Sequence, residues 1–331
     1  MKPYVRPARR EDIDSIVLLL NDSFSSPRQE WRRLFEYPGV EHQPNLGFIL
    51  EFQNQVVGFL GAIYSERLVE GRVERFCNLS SWCIMPEFRA SSVMLLTAAL
   101  TQRGYTFTTL TPSQVATQVV KAFGFQALES SKLLCGPWCY RALVKKKQGM
   151  EQSGRFRKLR RAGEIVIETA LIKRIALTRR LLPSDSRGGD LFIGANAVRP
   201  MLSKADQQLL DDHRQCGHFL VPGRDTYSYV VTVNRKLDFG RRSLVDFVVS
   251  DILHISSPGP ALHHWNSLCD SITTHQGSHA ITADERFFDL HCPEGLRIPC
   301  YSYFMSRNGV KPNQIDSLHT EMVLLDLLVY L

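Results

Sequence analysis

One stretch restricts the fold more than any other. An apolar, β-forming run at residues 75–84 meets a Met85-Pro86 step, then a helical run at 91–102, then a β-branched and aromatic run at 105–110. Val93, Leu95, Leu96, Ala99 and Leu100 recur at helical spacing, and Gly104 supplies the stop. A strand that feeds a helix and returns as a strand is a crossover, and it sets a mixed α/β layout.

The flanking segments fit that frame. An extended start at 4–7 precedes an amphipathic helix carrying Ile13, Ile16, Val17, Leu19 and Leu20, with Glu11 and Asp12 in its first turn. A second helical run at 29–36 stops at Pro38-Gly39. Runs at 47–52 and 55–64, separated by Asn54, predict an antiparallel hairpin. After the crossover, a helix at 114–122 ends before Gly124, and 126–134 returns as a strand.

At 331 residues the chain suits two domains of ordinary size. The expected division is 1–143, a basic connector at 144–200, and 201–331. The net charge of +7 is concentrated at 145–180, so it describes a connector rather than either domain's ligand. Within it, 164–182 reads as an amphipathic helix. A docked interdomain helix suits it, and peripheral contact with an anionic membrane is the other reading. Aromatics are not interleaved with these charges, so nucleic acid is not expected. The eight cysteines, among them the C-x3-C pair Cys135 and Cys139, are scattered and read as buried free thiols. With no secretory leader and no run long enough to cross a bilayer, a cytoplasmic protein is expected.

The order strand, helix, helix, three strands, helix, strand, helix, strand resembles the GNAT acyltransferase superfamily. There the fourth strand ends in a V-x-P-type step, and a Q/R-x-x-G-x-G/A loop opens the next helix. Here that stretch reads Ile84-Met85-Pro86-Glu87-Phe88-Arg89-Ala90-Ser91-Ser92-Val93-Met94, and Gly124-Phe125 matches the superfamily's later G-F. The resemblance implies a mixed-sheet GNAT fold with acetyl-CoA or another acyl-CoA as co-substrate. Its pyrophosphate would be held by Ile84, Met85, Pro86, Arg89, Ala90, Ser91, Ser92, Val93 and Met94. The physics is that of a helix N-terminus, where convergent N–H groups and the dipole favour an anion. Ser92 and Met94 replace the loop glycines, and Ser113 and Val120 stand where the family often has an Asn and a general-acid Tyr. The segment containing Trp31, Phe35 and Pro38 further resembles GNAT proteins of bacterial polysaccharide and cell-envelope gene sets. That implies an acceptor pocket lined by Trp31 and Phe35, although both rings would equally pack a helix onto the sheet.

The implied reaction is N-acyl transfer, in particular acetyl transfer, by direct attack of an amine on the thioester. The amine would belong to a small molecule, sugar or amino acid derivative; a non-catalytic ligand-binding protein is the alternative. Such attack needs a proton acceptor and a polarised carbonyl. Glu51, Glu66 and Glu74 are the candidate bases, with strand alternation predicting Glu51 to be exposed. Asn78, Ser80 and Trp82 fall on one face of the 75–84 strand and Ser81 and Cys83 on the other, so a polar pocket at Asn78 is expected. Ser81 is taken with Glu51 as a catalytic candidate. Cys83 has no neighbour in sequence to lower its pKa, which argues against a ping-pong route.

The second half repeats the pattern: a helix from Ser203 to His213, strands at 218–221, 227–233 and 244–255, a helix at 261–275, a strand at 280–283, and extended runs at 298–305 and 322–328. A second, diverged GNAT-like domain is expected. Its turn Ser256-Ser257-Pro258-Gly259-Pro260 lacks donor N–H groups at two prolines, so no acyl-CoA is expected there. The histidines of this half show no metal-binding spacing, and no metal is expected.

Overall fold

The computed structural model describes residues 2–24, 31–36, 43–69, 71–135, 191–238, 247–288, 293, 296–324 and 329–330. In chain order they form β1 (Tyr4–Pro7), α1 (Ile13–Ser23), α2 (Arg33–Glu36), β2 (Gly47–Phe52), β3 (Gln55–Val69), β4 (Arg72–Ile84), α3 (Ser92–Leu100), β5 (Thr106–Thr109), α4 (Gln114–Ala122) and β6 (Gln126–Cys135). After the interval come β7 (Phe192–Ile193), α5 (Ala195–Val198), α6 (Lys204–Asp212), β8 (Gly217–Pro222), β9 (Tyr227–Asp238), β10 (Phe247–Ile255), α7 (Pro258–His263) and α8 (Trp265–Gln276). Last are β11 (Ala280–Asp284), β12 (Leu296–Met305), α9 (Glu321–Leu324) and β13 (Val329–Tyr330).

Two compact units result, but not as consecutive blocks. Unit 1 is Met1–Glu129 with Cys300–Asp326, and unit 2 is Ser130–Pro299 with Leu327–Leu331. The boundaries expected at 143 and 201 therefore miss an exchange of segments late in each half. Most of the expected connector, with its helix at 164–182, lies outside the described residues, as do Cys139 and Cys292.

Unit 1 is a sheet in the order β1-β2-β3-β4-β5, closed by the end of β12. The hairpin β2–β3 turns on Gln53 (φ 51°) and Asn54 (φ 62°), the two left-handed residues that a tight turn of matching twist requires. β3 and β4 pair antiparallel from Gly58↔Ile84 to Val69↔Arg72, so this hairpin runs farther than the apolar run at 55–64 suggests. β4 and β5 pair parallel, as the crossover demands, and Tyr303–Met305 of β12 pairs antiparallel with β5. One face carries α3 and α4, packed through Leu95, Leu96, Ala99 and Val120 onto Leu50, Leu60, Ala62, Cys77, Leu79 and Phe107. α1, with Ile16, Leu19 and Leu20 buried, packs on β3 and β4.

Unit 2 repeats that order. α6 begins at Ser203, whose hydroxyl accepts from the Asp206 N–H at 3.2 Å, and β8–β9 forms a hairpin. β9 pairs antiparallel with β10, β10 parallel with β11, and β11 antiparallel with residues 132–135 of β6. The helix expected at 261–275 is two helices, broken at His264. Met322–Leu324 are helical within α9 rather than extended, because this segment docks on α2 instead of joining a sheet edge. Among the described residues, Cys77, Cys83, Cys135, Cys216 and Cys269 are free and buried.

Candidate active site

The sheet of unit 1 opens at one place. β4 runs to Ile84, but its parallel register with β5 stops at Asn78↔Thr108. From Leu79 onward β4 has no β5 partner. A bulge sharpens the divergence. Phe59 faces Cys83 while Gly61 faces Ser80, so Leu60 opposes both Ser81 and Trp82. Ser81 takes φ 51°, a left-handed conformation that non-glycine residues adopt at a cost. Such bulges re-aim a strand and leave one residue out of the ladder.

The bulge also changes which side chains share a face. Trp82 and Ile84 pack into the α3 cluster with Leu79, whereas Asn78 and Ser80 stay on the opposite face. Simple alternation had grouped Trp82 with Asn78 and Ser80, and the extra residue overturns that grouping.

The predicted cofactor loop follows at the open end. Met85 donates its N–H to Val57 O at 2.9 Å. Pro86–Ser91 form a 3-10 turn that runs directly into α3. Ile84, Met85, Ser91 and Ser92 are half-buried, while Pro86, Arg89, Ala90, Val93 and Met94 are exposed. An exposed helix start beside a strand opening can receive an anion and the arm attached to it. α3 begins after Ser91, whose side chain makes no capping bond. α4, which follows β5, is capped by its own Ser113, whose hydroxyl accepts from the Ala116 N–H at 3.2 Å. Val120 is buried among the residues of the α3 face, and Gly124 closes α4 at φ 87°.

The predicted base fares differently. Glu51 is 7% exposed, and Tyr4 and Arg6 reach it from β1, which pairs directly with β2. Tyr4 donates its hydroxyl hydrogen to one carboxylate oxygen, and Arg6 Nε donates to the other at 2.7 Å. These bonds hold the Glu51 carboxyl below its ordinary range against the effect of burial. The expectation of an exposed Glu51 is corrected: its neighbours in sequence are apolar, but its partners come from another strand. Its oxygens bind Tyr4 and Arg6 of β1, and Arg6 also holds Asp12 at 2.8 Å, so the carboxylate ties β1 to β2. Glu66 is exposed opposite Arg75 at 3.8 Å, and Glu74 accepts from Asn308 at 3.2 Å. Burial pushes the Cys83 thiol up to about 12, which removes it as a nucleophile.

Asn78 sits where the two strands part. It is 1% exposed, accepts from Thr108 Oγ1 at 3.1 Å, and donates through Nδ2 to Glu321. Thr111 Oγ1 donates to the other Glu321 oxygen. Glu321 is 4% exposed; sequence reasoning passed it over because its contact with Asn78 spans 243 residues. Ser80 is also buried, and its hydroxyl has no hydrogen-bond partner among the described residues. Phe35 lines a small cavity with Leu34, Gln43, Leu46, Ala62 and Ile63, and Ile63 is the β3 partner of Asn78. Trp31 is buried against Phe24, ring centroids 5.1 Å apart, and its Nε1 has no hydrogen-bond partner among the described residues.

Compared by sequence, the chain matches no family model and no curated protein. Compared by structure, it resembles a GCN5-related N-acetyltransferase from Anabaena variabilis, with TM-score 0.55 at 13% identity over 92% of this chain and 72% of that one. A probable N-acyltransferase from Enterococcus faecalis gives TM-score 0.50 at 9% identity, over 92% and 72% of the two chains. A GCN5-related N-acetyltransferase from Kribbella flavida gives 0.50 at 9%, over 92% and 70%. The chain thus has the GNAT acyltransferase fold.

Proposed function

We propose that this chain, built on the GNAT acyltransferase fold, is an acyl-CoA-dependent N-acyltransferase whose reaction takes place at the strand opening of unit 1. The observation that carries this reading is the parting of β4 from β5 after Asn78↔Thr108, with an exposed helix start immediately beyond it. In this reading the pyrophosphate lies against 86–94, with Arg89 supplying a cation, and the pantetheine arm runs along the unpaired edge of β4. The thioester carbonyl then lies near the Ser81–Trp82 bulge, where a free backbone N–H can polarise it.

Acetyl is the simplest acyl group for this site, and the acceptor is an amine on a small molecule, sugar or amino acid derivative. Unit 2 is read as a diverged GNAT-like domain. Calorimetric titration with acetyl-CoA tests the proposal, since a chain that gives neither heat nor a thermal shift does not have the function. A ligand-binding role without turnover is favoured by one observation: the buried Val120 offers no hydroxyl to protonate a leaving thiolate. Thiol release from acetyl-CoA over an amine panel separates the two readings.

A further inference from the structure

A tryptophan indole carries a hydrogen-bond donor and no acceptor, and a buried polar group normally has a partner. Among the described residues, five buried side-chain polar atoms have none. Two of them, Ser80 Oγ and Trp82 Nε1, flank Ser81, which β4 holds at φ 51°. Unsatisfied polar groups and backbone strain thus coincide at one point of unit 1, and each is costly where nothing requires it.

The place of Trp82 is specific. It lies beyond Asn78, the last β4 residue paired with β5, and before Ile84, where β4 ends. The bulge sends its ring to the face that carries α3, where it packs with Ile84, Met85 and Phe88 onto the core beneath that helix. Those three side chains hold no oxygen that could accept from it. The 3-10 turn Pro86–Ser91 and the start of α3 follow directly. The indole therefore stands between the last strand pair and the exposed helix start, along the course that the acyl-pantetheine arm takes in the reading above. Because the group only donates, the partner it lacks is an acceptor, and the arm presents amide carbonyl oxygens and a thioester carbonyl oxygen.

Resting on the acyl-CoA reading above, we infer that Trp82 Nε1 donates a hydrogen bond to a carbonyl oxygen of the acyl-pantetheine arm. The bond sets how far the thioester reaches past the helix start, while the pyrophosphate at 86–94 is held independently of it. Trp82 reads the arm and not the nucleotide.

The experiment compares Trp82→Phe with the wild-type full chain by calorimetry against acetyl-CoA, free coenzyme A and 3′-phospho-ADP, the nucleotide portion that ends at the pyrophosphate. Phenylalanine keeps an aromatic ring in place and removes the N–H, and thermal unfolding is measured beside each titration. The expected result is a loss of about tenfold for acetyl-CoA, with 3′-phospho-ADP within about twofold of wild type. Free coenzyme A assigns the oxygen: it loses as much as acetyl-CoA where an amide carbonyl is the partner, and keeps its affinity where the thioester carbonyl is. Unchanged affinity for all three ligands overturns the inference. So does an equal loss for all three, because a purely structural ring would not distinguish the arm from the nucleotide. Should Trp82→Phe fail to fold, the wild type labelled with nitrogen-15 tryptophan carries the test, its four indole signals assigned by single Phe replacements of the other tryptophans. The Trp82 indole proton should then move downfield with acetyl-CoA and stay in place with 3′-phospho-ADP; an unmoved signal, or the same movement with both, overturns the inference. A wild-type chain that binds neither acetyl-CoA nor 3′-phospho-ADP refutes the acyl-CoA reading itself, and this inference falls with it.

Discussion

In unit 2 the position corresponding to Asn78 is Asp251, and replacing it by Asn should destabilise that unit by about 3–5 kcal/mol, the cost of breaking a buried ion pair from one side. Asp251 pairs with Thr282 across β10–β11 as Asn78 pairs with Thr108 across β4–β5, and in both cases the threonine hydroxyl donates to the strand partner. The difference is charge. Asp251 is 1% exposed and receives Lys132 Nζ at 2.6 Å and Arg235 Nε at 3.0 Å. Neutralising it removes the negative charge that faces Arg235, whose side chain is 3% exposed and which cannot shed its proton. Lys132, at 20%, has a route to water.

Because small domains are stable by only about 5–15 kcal/mol, a loss of this size should move the urea midpoint by about 2 M for a typical slope. Urea unfolding, with hydrogen exchange on β10 reporting unit 2, reads it. Burial pushes the Asp251 carboxyl up, but Lys132, Arg235 and Thr282 together outweigh it and bring it below its ordinary value. A depressed folded-state pKa gives stability that is full above the ordinary carboxylate range and is lost as pH falls through the folded value. The Asn variant should therefore show a flatter acid limb. A loss below about 1 kcal/mol, or an unchanged acid limb, would refute the reasoning.

Three further outcomes follow from the geometry of unit 1. Glu51→Gln should lower stability by about 1–2 kcal/mol by weakening the hold on Tyr4 and Arg6, while thiol release stays within about twofold of wild type; a large loss of turnover in a folded variant would restore it as a base. Arg89→Glu, at an exposed loop position, should weaken acetyl-CoA about tenfold at low salt, and calorimetry at rising ionic strength should narrow the gap. Gly47→Ala should cost about 3 kcal/mol or more, because at φ 122° its Cβ would lie 2.3 Å from the Leu60 carbonyl oxygen; a variant with wild-type thermal stability would contradict that packing.

The order of elements in unit 1 was legible because it depends on local rules. Short apolar, β-branched and aromatic runs made β2 to β5, the 3.6-residue spacing of Leu95, Leu96 and Ala99 made α3, and Met85-Pro86 fixed where one gave way to the other. The loop from Ile84 to Met94 could be delimited from sequence for the same reason, since every residue in it lies within one strand-to-helix step. Tertiary structure decided what depends on partners far along the chain. Glu51 is buried because β1 lies beside it, and the face of Trp82 depends on a bulge set by register with β3. Segment 300–324 joins unit 1, and residues 132–135 join unit 2. Glu321 looks like any helix-terminal carboxylate until Asn78 and Thr111 close on it. Backbone propensity is written residue by residue, whereas the environment of a buried charge is the sum of contacts that only the folded chain brings together.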